Sequence, residues 1–503
     1  MAKLGMKTPV VQPLEGHAKT APTRAQTSES LLDTNAKTRD SDATGSAASR
    51  RGSRRAELIA LAHLGIPLAG ANLAELGMAL TDMAIVGRLG AVEFAAVGLA
   101  GGVIFDIESI LMGVLTVVGV LVAEAYGRGE RERVAAIAGQ GLRIAMLLAL
   151  PLVAICLLLP EILSWTGQDA AVLRLGAVYL NAVVWAFPFA MAYAVLVDVA
   201  TALHRPRMVF LVSLGAVAVN AVLSWFLVFG AGGWQGMGVA GAGYATSIVN
   251  AVMVLTLAAA CFGSDLRTWL PLRPLLRGDR EAGRDIVRVG LPVAGMTLAE
   301  SGMFTVVMVL IGGFGAVTLA ASKMVFGYVR IAGALAFAIA DAAAIRVALA
   351  AGRGDRQGVV RSGVLCFIAG TAILMLLAVV PLIFPHAVAG VFLGELHGED
   401  LEVAEQARLL FGLGALYLVL QGLQTIAEHA LRGLRDTLVP MWQSLAGLWL
   451  VGLAGGALLA YGAGLGAAGL WWGMTAGSAL TALLFLRRFA VLTARVGASD
   501  QER

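Results

Sequence analysis

Two glutamates, Glu75 and Glu300, each stand near the middle of a long apolar segment, 225 residues apart. A carboxyl group in hydrocarbon is costly, so one found there marks a position that handles an ion, a proton or a charged ligand. Both belong to one repeated stretch, Pro67-Leu68-Ala69-Gly70-Ala71-Asn72-Leu73-Ala74-Glu75 and Pro292-Val293-Ala294-Gly295-Met296-Thr297-Leu298-Ala299-Glu300. Asn72 and Asp82 share the helical face of Glu75, all within about 80° at ~100° per residue. That stripe is suited to binding a cation or a proton, with Asn220 in a later segment as a candidate oxygen donor. Tyr417, Gln421, Gln424 and Glu428 fall on one face of another segment within about 60°. Lys323, Arg330 and Asp341 share a face of a third. Lysine can shed its proton when buried and arginine cannot. Lys323 and Arg330 are therefore candidate internal ion-pair partners of Glu300 or Asp341, exchanging on cation entry. That pairing is the expectation for Arg330, whereas Lys323, in the first turns of its span, is expected rather to snorkel to the outer interface. Asp198 is expected at an interface.

The segments that must carry these groups are membrane spans. Of 503 residues, 58% are hydrophobic and 14% charged, and mean hydropathy is +0.82. Soluble chains carry roughly 25% charged residues. Apolar runs long enough to cross ~30 Å of hydrocarbon as helices recur along the chain. Twelve are expected, near 58–87, 93–125, 133–159, 171–203, 208–229, 238–262, 289–312, 318–350, 360–384, 404–431, 438–461 and 466–487. Alternate loops hold the arginines, with six between Arg267 and Arg288. Positive-inside topology then places both termini in the cytoplasm, in a cell inner (plasma) membrane. The same topology accounts for the net charge of +4 without nucleic acid as a partner. Residues 1–55 are polar, lack the apolar core of a signal peptide and are expected to be a disordered cytoplasmic arm. Cys156, Cys261 and Cys366 all lie in apolar segments, as core residues rather than disulfide partners.

The offset of 225 residues persists downstream. Gly127-Arg128-Gly129-Glu130-Arg131 matches Gly352-Arg353-Gly354-Asp355-Arg356, and later Gly236-Met237-Gly238-Val239-Ala240-Gly241 matches Gly464-Leu465-Gly466-Ala467-Ala468-Gly469 at 228. Six spans per half is an even number, so the halves enter the membrane alike. They are expected to be related by a pseudo-two-fold axis along the membrane normal. The organisation expected is an N-terminal six-helix lobe at 56–262, a basic cytoplasmic linker at 263–288, a C-terminal six-helix lobe at 289–490 and a cytoplasmic tail at 491–503. The fold class is an all-α polytopic membrane protein of twelve transmembrane helices in two lobes.

This pattern resembles the multidrug and toxic compound extrusion (MATE) family. The resemblance rests on Gly-x-Leu/Phe-Gly-Ala after the first helix of each half and Gly-Arg-Gly-Glu/Asp after the second. It rests also on Gly236 to Thr246 and on Ala430-Leu431-Arg432-Gly433. It covers roughly residues 58 to 490 and implies a two-lobed efflux pump exchanging cationic amphipathic compounds for Na⁺ or H⁺. Glu300 looks like the seventh-helix acid of the NorM-type bacterial branch, and Asp82 like its first-helix aspartate. Na⁺ would then sit at Glu300 or Asp82. The tenth-helix aspartate of that branch falls on Gln421, a departure that leaves two readings of Glu428: a substitute partner of Glu300, or, with His429, a residue near the cytoplasmic mouth.

The function expected is secondary active multidrug efflux, with small cationic drugs or toxic compounds as cargo, no cofactor beyond the coupling ion, and a monomer in the lipid bilayer. Nothing in the chain builds a catalytic centre. It lacks the Gly-x-x-x-x-Gly-Lys-Ser/Thr phosphate loop, and its histidines and cysteines form no metal-ligand pattern. The alternative is a flippase-type exporter of lipid-linked or polysaccharide intermediates. A long anionic cargo would need a cavity lined by several arginines, whereas acids outnumber bases in the spans.

Overall fold

A computed structural model of the chain describes residues 59, 61–165, 167–394 and 398–495. The expected arm at 1–55, the acidic residue Glu395 and the end of the tail lie outside the described residues. The described part is built from helices: α1 (Leu61–Gly87), α2 (Ala91–Leu115), α3 (Val117–Arg128), α4 (Arg131–Ser164), α5 (Ala170–Val183), α6 (Ala186–Ala202), α7 (Pro206–Phe229) and α8 (Val239–Gly263) complete the first half. The short α9 (Leu272–Leu276) leads into α10 (Arg280–Gly312), α11 (Ala316–Gly352), α12 (Arg356–Ile383), α13 (Pro385–Leu393), α14 (Glu399–Gly433), α15 (Leu438–Ser444) and α16 (Gly466–Arg495). After α15 the chain stays helical to Gly462 but in wider π turns.

Among the described residues eleven helices, with α2–α3 and the α15 segment each counted once, are long and apolar enough to cross a membrane, and the pair α5–α6 makes a twelfth span. That pair is bent by 51°, where a single straight span was expected. Pro188 supplies the reason. It has no N–H to donate, and its ring displaces the carbonyl of Val184, four residues back, at the break. The tenth span begins at Glu399 rather than 404, and the twelfth runs to Arg495 rather than 487. α13 was not expected at all.

The duplication is written in the backbone. Gly90 and Gly315 precede α2 and α11 with φ of 153° and 113°, and Gly129 and Gly354 follow α3 and α11 at 77° and 69°. Gly236 and Gly238 have φ of 71° and 56°, and their counterparts Gly464 and Gly466 have 72° and 56°. These conformations exclude most side chains and suit glycine, so the glycines of each half mark turns of the same shape.

The lobes meet along a pseudo-two-fold axis. A Cβ on Gly127 would lie 2.6 Å from the Leu349 carbonyl oxygen, and one on Gly352 would lie 2.2 Å from that of Glu124. Position 127 corresponds to 352 and 124 to 349, so this contact between the arginine-rich ends of α3 and α11 is its own image. Nearby, Arg435 bonds Asp285 at 2.9 Å and Arg133 bonds the same carboxylate at 3.0 Å. Within the second lobe, a Cβ on Gly473 would lie 2.3 Å from the Gly452 carbonyl oxygen and one on Gly477 2.7 Å from that of Gly447. Close backbone approach is thus one use of the abundant glycine.

Candidate functional site

In the first lobe, α1 projects Asp82 into a cage of three donors. Asn220 Nδ2 donates to Asp82 Oδ1 at 2.7 Å, Ser224 Oγ to the same oxygen at 2.8 Å, and Thr246 Oγ1 to Oδ2 at 3.4 Å. Asn220 and Ser224 stand one turn apart on α7 and are 1% and 0% exposed, so both are fixed by packing. Asn220 was expected to offer an oxygen; its amide nitrogen faces the carboxylate instead. Ser224 and Thr246 were not anticipated, although Ser224 follows Asn220 at i+4 on one helical face.

Glu75 is exposed, two turns before Asp82 on the same face. Leu68 and Asn72, earlier on that face, line a cavity between the lobes. Glu108 of α2, which was not placed in the site from sequence, lies within Coulombic reach of Glu75, and Tyr179 within reach of Asp82 and Glu108. None of Glu75, Asp82 and Glu108 forms an ion pair with Lys or Arg among the described residues. Three acids without a basic partner make a cation-attracting wall.

In the second lobe Gln421 Nε2 donates to Glu300 Oε1 at 2.9 Å, and also approaches Thr425 Oγ1 at 3.2 Å. Tyr417 is buried within Coulombic reach of Glu300. Gln424 is buried and its Oε1 has no hydrogen-bond partner. The position that departs from the branch pattern is therefore the one that contacts the acid.

Three candidate pairings are not seen among the described residues. Glu428 lies within Coulombic reach of Glu300 but makes no hydrogen bond to it. It bonds Arg432 at 2.8 Å, with side-chain exposures of 11% and 5%, and a buried carboxylate held by a guanidinium one turn along its own helix is already neutralised. Arg330 pairs with neither Glu300 nor Asp341; it is exposed, and its guanidinium stands 5.7 Å from the centre of the Phe105 ring. Lys323 is exposed and forms no ion pair with Glu300 or Asp341. The long side chain keeps its ammonium on the open side of α11, where hydration outweighs a buried pairing. Asp341 faces His429 instead, Oδ1 to Nε2 at 3.4 Å. Asp198 lines the same interlobe cavity as Asp341 and Asn72.

Na⁺ favours several oxygen ligands, and Glu300 and Asp82 would each offer it one carboxylate. Around Asp82 the hydroxyls of Ser224 and Thr246 could complete such a set by turning their oxygens inward. Around Glu300 the neighbours are the Gln421 amide and the Thr425 hydroxyl. No group of three His, Cys, Asp or Glu side chains able to hold a metal ion occurs among the described residues.

Comparison with known proteins agrees with this architecture. The MatE family model matches residues 67–226 and again 292–458, one match per half. A probable multidrug resistance protein NorM from a Synechococcus strain is 33% identical over 441 residues, covering 87% of this chain and 95% of that protein. The multidrug resistance protein NorM of Burkholderia vietnamiensis is 33% identical over 455 residues, covering 88% and 95%. Among solved structures, the eukaryotic MATE transporter AtDTX14 superposes with a TM-score of 0.78 at 20% identity, covering 88% of this chain and 99% of that one. A mutant of the Vibrio cholerae MATE transporter VcmN gives 0.80 at 17%, covering 88% and 98%. These likenesses show the fold.

Proposed function

The chain belongs to the MatE family, and on that premise we propose that it is a secondary active multidrug efflux antiporter. It exports cationic amphipathic compounds in exchange for Na⁺ or H⁺ by alternating access. The named relatives are multidrug resistance proteins, which supports the cargo class. The arginine-rich ends of the spans support a plasma membrane orientation with those ends, and both termini, in the cytoplasm.

The observation that carries this reading is the pair of lobes' acids, Glu75 and Asp82 in one and Glu300 in the other, each inside a span and without a basic partner among the described residues. A carboxylate so placed needs a counter-charge, and a proton, an alkali cation or a cationic drug can each supply it. Mutually exclusive occupancy of the same acids couples inward ion flow to outward drug flow. The two sites are unlike in detail: the counterpart of Asp82 is Val307 and that of Glu108 is Gly333. The duplication therefore repeats the helices, and each lobe keeps its own polar chemistry.

Ethidium uptake into inverted vesicles, driven by a pH gradient or a Na⁺ gradient imposed alone, tests the reading. Uptake is expected with one of the two gradients and is lost in the Glu75→Gln/Glu300→Gln double variant. Full gradient-driven uptake by that double variant would defeat the proposal.

A further inference from the structure

Between Gly263 and Gly290 the chain carries four acids and six arginines. Each acid is already held by an arginine from elsewhere. Asp265 pairs with Arg205, and Asp279, Glu281 and Asp285 pair with Arg133 of α4 at 3.4, 3.4 and 3.0 Å. Asp285 also meets Arg435 at 2.9 Å, and Asp279 caps α10 by accepting from the backbone of Glu281 and Ala282. The guanidinium groups of Arg267, Arg273, Arg277, Arg280, Arg284 and Arg288 are left exposed and without an ion pair among the described residues.

Three of them form a stripe. Arg280, Arg284 and Arg288 lie one turn apart on α10, and at ~100° per residue Leu291, Leu298 and Val309 continue the same face. Those three aliphatic residues are 62%, 55% and 71% exposed. Helices bound the face on either side. A Cβ on Gly290 would lie 2.4 Å from the Val114 carbonyl oxygen of α2, and one on Gly295 2.8 Å from Met441 Sδ of α15. Glu300 lies on the opposite side of α10, ~200° from Leu298. The stripe therefore looks outward between α2 and α15, toward the bilayer. The stretch from Leu291 to Ile311 rises ~30 Å, the thickness of the hydrocarbon. Arg288 then falls at the hydrocarbon boundary, and Arg284, about 6 Å further out, at headgroup depth.

The linker adds apolar groups beside its arginines. Leu272 and Leu276 of α9 are one turn apart and 58% and 73% exposed, next to Arg273 and Arg277. The segment is clamped to α4. Arg143 donates to the carbonyls of Leu275, Leu276 and Arg277 at 3.2, 2.5 and 3.4 Å, and a Cβ on Gly139 would lie 2.0 Å from the Leu275 oxygen. Leucines fixed without protein cover, among uncompensated guanidinium groups, match both parts of a lipid interface, acyl chains and phosphates. A soluble polyanion would satisfy only the second. The duplication does not demand the stripe either, since the counterparts of Arg284 and Arg288 are Ile59 and His63.

We propose that this face of α10 seats anionic phospholipids of the leaflet at the arginine-rich ends. Their phosphates meet Arg284 and Arg288, with Arg280 a turn further out, and their acyl chains lie along Leu291 and Leu298. Planar guanidinium groups suit a phosphate by offering paired donors. The α9 segment, with Leu272 and Leu276, rests on the same leaflet. The inference needs only that the chain crosses a bilayer, and it stands apart from the cargo and the coupling ion.

The test reads lipid contact rather than transport, so it can fail while the antiport reading stands. The full-length protein carries a bimane label at Leu291→Cys, its native cysteines being buried. It is reconstituted in phosphatidylcholine vesicles holding a minor fraction of phosphatidylglycerol, with brominated acyl chains on one lipid or the other. Quenching then reports the share of each lipid beside the label. Phosphatidylglycerol is expected at least about fivefold above its bulk fraction, the factor that one engaged arginine supplies. The Arg280→Gln/Arg284→Gln/Arg288→Gln variant should return that share to the bulk value, and added salt should lower it in the wild-type protein. A bulk share beside Leu291→Cys in the wild-type background overturns the proposal, as does undiminished enrichment in the triple variant. Equal enrichment at Leu211→Cys, an exposed position of α7, also overturns it, because the attraction would then be general. So does loss of enrichment on adding inorganic phosphate at constant ionic strength, since the stripe would then serve a free anion.

Discussion

The Arg330 guanidinium lies 5.7 Å from the centre of the Phe105 ring, and the two residues are counterparts at the 225-residue offset. Their contact therefore sits on the pseudo-two-fold axis, as do the interlobe cavity lined by the counterparts Thr116 and Asp341 and the glycine contact at 127 and 352. From the middle of the spans to the arginine-rich ends, the lobes touch through residues that the repeat pairs with one another. Alternating access must break and remake this line.

Removing the ring tests the first contact. Phe105→Ala should cost about 1 kcal/mol of interlobe attraction, several-fold in the ratio of packed to parted molecules. A double-mutant cycle with Arg330→Gln, read by the distance between spin labels at Glu130→Cys and Gln357→Cys, exposed positions at the arginine-rich ends of opposite lobes, should show coupling between the two positions. Additive effects would mean that the guanidinium and the ring do not interact.

The glycine contact is steeper. Gly127→Ala or Gly352→Ala places a Cβ within 2.6 Å or 2.2 Å of a backbone oxygen, and packed backbone cannot yield as a flexible side chain can. Either variant should shift the protein toward the parted arrangement, and the pair together more so. Gly412→Ala, where a Cβ meets nothing within 4 Å, should leave the distance distribution unchanged.

Gln421→Ala removes the hydrogen bond to Glu300 at 2.9 Å. Bonds to charged groups contribute about 1.5–3 kcal/mol, so the rate of ethidium transport should fall by one to two orders of magnitude. Gln421→Glu should not restore it, because two carboxylates would then face one another. Transport at the wild-type rate in the alanine variant would show that Gln421 only fills space.

The Asp82 cage should be cooperative. Ser224→Ala removes one of three donors and should lower thermal stability by about 1 kcal/mol while slowing transport. Asp82→Asn, which keeps the shape and abolishes the charge, should stop transport with the fold intact. A fully active Asp82→Asn protein would assign the cage to structure alone.

His204, in the turn between α6 and α7, gives a pH dependence of its own. Partial burial first, then the neighbouring Arg346 and Arg353, hold its imidazole below the ordinary range, although the residue remains exposed overall. The unfolded chain takes up the proton more readily. The contribution is thus full above about pH 6.5 and is lost as pH falls through the lower folded value. His204→Asn, which also tolerates the local φ of 62°, should flatten the acid side of the thermal-stability profile. An unchanged acid limb would place the sensitivity elsewhere.

The amino-acid sequence by itself determined the spans, the duplication and the acids that sit in hydrocarbon. Each is a local or periodic property: apolar length for a span, glycine where φ must be positive, a lone Glu75 or Glu300 in an apolar run. The face shared by Asn72, Glu75 and Asp82 was likewise legible, since helical spacing alone decides it. Which polar groups meet was settled only by the packing of distant helices. Ser224 and Thr246 reach Asp82, and Gln421 rather than Glu428 hydrogen-bonds Glu300, because span-to-span rotation and depth choose the partner. Charge attraction along the chain does not: Lys323 and Arg330 share a face with Asp341, yet Arg330 meets the Phe105 ring and Lys323 is exposed, while His429, on another helix, faces that acid. The cavity on the axis was invisible for the same reason, as Asp198 and Asp341 acquire a common environment only when two lobes close around it.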